Sequence, residues 1–505
     1  MAGIRTMQNS VDNTIFNSIR PLFWDLYNTL SNIFQNVSIL AESSNGRNYR
    51  HSKSGTTIND NMFTSTGAVI RFSVKGHNDL MEYSFNDFSR EYMETIPSIL
   101  IKHAAADSRT DQRYTNRFEE NNTASILQTA DSGQLASAAP DSIYSEERLS
   151  FNRSTEFEIN PADLSDKDIL DSLKSLYQKA LDHDGRILDC VCMFQYLTTH
   201  KMFISADKDL QQHLLWSNGI LQPLAGTSDK KRYYLQTFSL SGGAELLEQM
   251  NSNIAYACSC AVDLLDSVVP TPGTYDVICM PDVTGLIAHE AFGHGVEMDM
   301  FVKDRALART YMGQPVASPI VTMHDNALNC MECGSYFFDD EGTLSRDTTI
   351  IEKGILKCGI SDLLSAARLK TSPTGNGRRE SYERKAYARM TNTYFEKGTD
   401  RLEDMIASIE NGILLENAAS GMEDPKNWGI QCMVNLGREI KNGKLTGKIF
   451  SPVCLSGYVP DLLKSISMVS RDLQINGCGC CGKGYKEWVK VSDGGPAIKA
   501  VVTIS

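Results

Sequence analysis

The sequence predicts an α+β protein of two domains, with mixed helices and largely antiparallel sheets. Three observations carry that prediction. Stretches with apolar residues at three- and four-residue spacing are interleaved with short β-branched and aromatic runs, and no internal repeat or heptad array interrupts them. At 505 residues the chain is too long for one typical core. Between residues 105 and 150 the composition shifts to Ser, Thr, Asn, Asp, Gln and Ala with few large apolar side chains, which marks a linker, an exposed insertion or a mobile loop. We therefore expect an N-terminal α+β domain over residues 1–265, containing that polar tract, and a second domain over residues 266–505.

The elements follow in order. Ile15, Phe16, Ile19, Leu22, Phe23, Leu26, Leu30 and Ile33 form an amphipathic stripe that suits packing inside the first domain. Pro21 is expected to start a second helical segment there, because proline suits a first turn and breaks an interior. Residues 68–74 read as a strand, and residues 87–103 as a helix interrupted near Pro97. A helix over 169–183, apolar alternation over 187–196, a strand over 233–238 and helical periodicity over 246–265 complete the first half. The strand at 275–280 runs into Pro281-Asp282, where Asp282 is placed to cap the helix that carries His289.

Bulk properties exclude several classes. A hydrophobic fraction of 41% and a charged fraction of 22% are ordinary for a globular protein. No stretch approaches the apolar length that crosses a bilayer, and the N-terminus has no apolar core of a secretory signal, so no membrane partner is expected. Thirteen cysteines without an export signal suit a reducing interior, hence a cytoplasmic location. A net charge of -13 argues against nucleic acid as a partner. The basic run Lys230-Lys231-Arg232 reads as solvated charge beside a strand.

The most informative segment is His289-Glu290-Ala291-Phe292-Gly293-His294. Two neutral imidazoles are the usual nitrogen ligands of a catalytic zinc that keeps one position open for water. Zinc makes hydroxide available near neutral pH, and a neighbouring unbound carboxylate, here Glu290, serves as general base. The histidines stand five residues apart, a rotation of roughly 140° at about 100° per residue, so a regular helix would splay them. A bulge with a wider hydrogen bond, or unwinding at Gly293, would swing His294 back toward His289.

Other candidates divide between chemistry and packing. Cys330 and Cys333 have knuckle spacing, but no second pair completes a site, so ordinary thiols are expected. Cys190, Cys192, Cys258 and Cys260 sit in apolar segments as small core residues. Cys478, Cys480 and Cys481 are framed by glycines that let the backbone approach a ligand closely. Glu297 and Asp299 are placed to orient the histidines, and Glu297 is an alternative third ligand. Arg378 and Arg379 either hold a carboxylate or carbonyl of a bound peptide, or pair structurally with Glu380 or Asp340. His213 and His324 read as structural.

The longer string HEAFGHGVEMD (residues 289–299) resembles the metal-site segment of the TldD/PmbA family of zinc metalloproteases. DDEGT (339–343), IEKGILK (351–357), PTGNGRRESY (373–382), RMTNTY (389–394), ISMVSRDL (466–473) and NGCGCCGKG (476–484) also look like that family, in the family's order. The N-terminal half matches less, chiefly through Gly67-Ala68-Val69-Ile70-Arg71. The resemblance implies a two-domain zinc peptidase acting on flexible or unfolded peptides. It implies His289, His294 and Cys481 as ligands and Glu290 as general base. Cys481 fills the cysteine position of the NG-x-G-x-CGK pattern, while GYKEWVKVSD after Lys483 departs from the family's Gly/Val-rich run. Family members lacking the histidine motif act as partner subunits, so this chain resembles the catalytic type, as a homodimer or a heterodimer with a related subunit. The rival reading is a non-catalytic partner or scaffold with a closed, four-ligand structural metal. A regulator of a nucleic-acid enzyme is a further rival, disfavoured by the acidic balance.

Overall fold

The computed structural model describes residues 14–77, 79–118, 148–328, 332–484 and 486–505. Two sheets organise the chain. Residues 35–240 supply a nine-stranded sheet, antiparallel except where Leu149–Ser154 runs parallel to Lys208–Gly226. Its centre is the long hairpin of Ile187–Ile204 and Lys208–Gly226, continued on the other side by Gln35–Ser52 and Ser65–Ser73. Residues 273–504 supply an eleven-stranded mixed sheet in which the C-terminal strand Ser492–Ile504 is the hub. That strand pairs antiparallel with Gly273–Cys279, Val453–Tyr458 and Met468–Asn476, and parallel with Asn392–Phe395. The α+β expectation with mainly antiparallel pairing is met.

Helices cover these sheets where their apolar faces demand it. Asp166–His183 starts with a capping box between Ser165 and Asp168 and packs Ile169, Leu173, Leu176 and Ala180 into a core shared with Leu246–Asp263. Thr14–Ile33 and Arg90–Phe118 are each continuous, through Pro21 and Pro97 respectively, so the expected breaks do not occur. Burial explains why. Phe23, Leu26, Leu30, Met93, Ile96 and Leu100 are buried in one core, and each such side chain contributes about 1.5–3 kcal/mol. Together they exceed the roughly 3 kcal/mol that an interior proline costs. The second helix also extends to residue 118, into the start of the tract expected to be a linker; residues 119–147 of that tract lie outside the described residues. The strand expected at 233–238 is two short ones, Lys231–Tyr233 and Gln236–Leu240.

Charged side chains join the first sheet to connecting segments of the second half of the chain. Arg71 of the first sheet holds Glu341 at 2.5 Å, Glu82 holds Arg379 at 2.6 Å, and Lys201 holds Asp340 at 2.5 Å. Each pair is largely screened from water, so losing one partner strands a charge.

Candidate metal centre

The site is built at the end of the strand Gly273–Cys279. The helix Pro281–Ala288 begins with proline in its first turn, and Met280 occupies the cap position with no side-chain cap bond. Asp282 therefore lies inside the helix and is not its cap, contrary to expectation; its carboxylate accepts the Ala418 N–H at 2.9 Å, tying the helix to the strand Asn411–Asp424. The next five residues, His289 to Gly293, form a π-helical turn, closed by the His294 N–H donating to the His289 carbonyl. This wider turn brings two histidines five apart onto one side, with ring centroids 5.1 Å apart and planes at 88°. Gly293 is needed for a further reason. A Cβ there would lie 2.1 Å from Sδ of the buried Met390. Gly293→Ala is expected to cost about 1–3 kcal/mol in urea unfolding and to lower bound metal, as displacing Met390 disturbs the turn.

Cys481 reaches the pair from a hairpin formed by Cys480–Lys483 and Lys486–Lys490. Its Sγ lies 3.2 Å from His294 Nε2, and donor atoms of His289, His294 and Cys481 all lie within 4.8 Å of one another. Burial raises the Cys481 thiol, but hydrogen bonds with both imidazoles outweigh it and hold the thiol down to about 5. His289 Nδ1 is buried without a hydrogen-bond partner. A thiol poised toward thiolate and two imidazoles fit a zinc ion better than Mg or Ca. Glu290, beside His289, is half-buried and is not one of these three donors; its Cγ lies against Gly421.

A second layer of carboxylates flanks these donors. His294 Nδ1 lies 3.6 Å from Glu297 Oε2, and His289 Nδ1 lies 3.9 Å from Asp493 Oδ2. Burial raises the Glu297 carboxyl, but Lys483 at 2.8 Å, together with His294 and Arg389, holds it well below the carboxylate range. Its two oxygens thus already serve Arg389 Nε at 3.2 Å and Lys483 Nζ, the geometry of an orienting group. Asp299 also accepts from Lys483 at 2.8 Å, and from Lys303 at 3.0 Å. Arg389, fully buried, additionally donates to the carbonyls of Cys481 at 2.8 Å and Glu487. One guanidinium thus links the histidine segment to the cysteine hairpin. Arg389→Ala is expected to destabilise the fold by about 3–5 kcal/mol in chemical denaturation, far more than a surface arginine.

The other sequence motifs are scaffolding for this region. Asp339 accepts from the backbone N–H of Glu341, Thr343 and Gly377. Asp325 accepts from Asn376, Thr391 and Thr393, holding PTGNGRRESY against RMTNTY. Arg379 is committed to Glu82 and to the Arg384 carbonyl, and its backbone N–H donates to Asp340. Arg378 donates to the Met390 carbonyl at 2.5 Å and lies over the Tyr336 ring. It lines a cavity of about 90 Å³ with Trp488 and Lys490. Cys333 is buried and Cys330 lies outside the described residues. Sequence reasoning missed Arg389, Lys483 and Asp493, whose partners lie far away in the chain. It also missed Glu423, both of whose carboxylate oxygens are buried without a partner.

Comparison with known proteins places this geometry. Residues 272–503 match the PmbA/TldA metallopeptidase C-terminal domain. A metalloprotease TldD homologue of Buchnera aphidicola is 36% identical over 236 residues, 46% of this chain and 48% of its own length. A zinc metalloprotease TldD homologue of Saccharolobus solfataricus is 31% identical over 239 residues, 47% and 53% respectively. A metalloprotease of Methanocaldococcus jannaschii is 33% identical over 264 residues, 52% and 58%. The matched segment thus spans about half the length of these relatives. The fold extends further. TldE of Thermococcus kodakarensis superposes over 96% of this chain and 99% of its own with a TM-score of 0.68 at 16% identity. A Thermotoga maritima protein named for a suggested modulation of DNA gyrase does so over 97% and 100%, with a TM-score of 0.73 at 16% identity. Residues 272–503 thus match a PmbA/TldA metallopeptidase C-terminal domain, with relatives of 31–36% identity over that region, and the whole chain shares its fold with TldE.

Proposed function

We propose that this chain is a zinc-dependent peptidase of the catalytic TldD type, acting on flexible or unfolded peptides. The observation that carries the reading is the convergence of His289, His294 and Cys481 within 4.8 Å beside Glu290. These three side chains would hold the metal. When bound, zinc supplies an acidified water and polarises a peptide carbonyl. Glu290 takes the proton of the attacking water and returns it to the departing amine. Glu297 and Asp493 orient the two imidazoles, and Arg389 keeps the Cys481 hairpin in register.

An extended substrate suits the neighbouring strand. Beyond Leu415, Asn411–Asp424 has only Gly429–Lys441 as a strand partner among the described residues, leaving its other edge without one. An edge of this kind hydrogen-bonds any peptide backbone without reading its sequence. Arg378, on the wall of its cavity, is assigned to a substrate carboxylate or carbonyl; Arg379, paired with Glu82, supports it. The first sheet and its helices form the proposed domain 1–265 and the second the proposed domain 266–505. The fold shared with TldE makes a homodimer, or a heterodimer with a related subunit, the proposed assembly. No helix among the described residues is long and apolar enough to cross a membrane, and the free thiols suit the cytoplasm.

The test is cleavage of an unfolded protein substrate. Hydrolysis should stop on treatment with a chelator and return with zinc. Persistent hydrolysis in a metal-free protein would remove zinc from the reading, and absence of hydrolysis with zinc bound would favour the scaffold.

A further inference from the structure

Glu423 stands on the open-edged strand, two residues beyond Gly421, and so shares its face. That face meets the metal centre at both positions. A Cβ on Gly421 would lie 2.4 Å from Glu290 Cγ, and a Cβ on Gly295, next to His294, would lie 3.1 Å from Glu423 Oε1. The Glu423 carboxylate therefore lies between the general base and the second histidine. Neither of its oxygens has a hydrogen-bond partner, and both are buried. It does not join the three donors that lie within 4.8 Å of one another. By contrast Glu297 and Asp299, which follow His294 closely in sequence, are satisfied by Lys483, Arg389 and Lys303. A buried carboxyl without a donor is costly, and among the described residues no Lys or Arg side chain pairs with it.

We propose that Glu423 receives the α-ammonium of the peptide substrate, so that the site removes residues from free amino termini. This rests on the peptidase reading above. An ammonium is compact and carries three donors, which suits two bare oxygens in an enclosed position better than a planar guanidinium. It arrives with the substrate, which accounts for the carboxylate lacking a partner within the chain. Anchored there, the peptide would place its first carbonyl beside Glu290, which packs against the same strand face.

The test measures binding to the full-length, zinc-loaded Glu290→Gln protein by calorimetry. Three peptides are compared: an alanine-rich tetrapeptide, its N-acetylated form, and the acetylated form with one internal lysine. The free amino terminus should bind on the order of tenfold tighter than either acetylated peptide, as a charge-assisted hydrogen bond provides. Adding Glu423→Gln should erase that difference while zinc content and binding of the acetylated peptide stay unchanged. An undiminished preference in the double variant would overturn the proposal. So would loss of zinc, which would make Glu423 a ligand, or equally tight binding of the lysine peptide, which would make the pocket one for a side chain. If no peptide binds the Glu423-intact protein, the peptidase reading itself falls.

Discussion

Glu290→Gln is expected to keep its zinc and to lose peptide hydrolysis by roughly 10²–10⁴-fold, the usual contribution of a positioned acid–base group. The amide preserves the shape that packs against Gly421, so the fold and the histidine turn are left intact. What disappears is the oxygen able to take a proton from water and return it to the leaving amine. Parallel measurement of metal content and turnover decides the matter. Near-normal turnover would remove Glu290 from catalysis, and loss of metal would make it a ligand.

Cys481→Ala is expected to lower zinc affinity by more than the roughly 10–100-fold that loss of an outer-shell partner costs, and to abolish hydrolysis. The neighbouring thiols provide the controls. Cys478 Sγ lies 2.9 Å from the Phe238 carbonyl and 3.6 Å from that of Gly219, against the first sheet. Cys480 neighbours Cys481 on the same strand, so its side chain points to the opposite face. Cys478→Ala and Cys480→Ala should therefore retain zinc and activity. If Cys481→Ala keeps its zinc and Glu297→Gln loses it, the third ligand is Glu297.

Much of the site was legible because its core is local. The five-residue histidine spacing demanded a turn wider than an α-helix, and residues 289–293 form one. Gly293 was read as a point of unwinding, yet its packing against Met390 depends on a residue about a hundred positions away. Arg389, Lys483 and Asp493 were missed for the same reason, since no spacing links them to the histidines they support. Arg378 and Arg379 in PTGNGRRESY admit a chemical reading, but much of the polarity of that segment and of DDEGT pairs with backbone N–H groups and with the first sheet. At Pro21 and Pro97 a local rule lost to burial of a long apolar stripe. Alternating patterns gave the strands, while their order around Ser492–Ile504 came from long-range pairing that periodicity does not encode.

X-ray absorption at the zinc edge of the purified, metal-loaded protein reads directly whether His289, His294 and Cys481 hold the metal. The expected shell is one sulfur at about 2.3 Å, two imidazole nitrogens at about 2.0–2.1 Å and one light atom from solvent. The sulfur signal should vanish in Cys481→Ala. A shell with no sulfur, or one closed by four protein ligands, would contradict it.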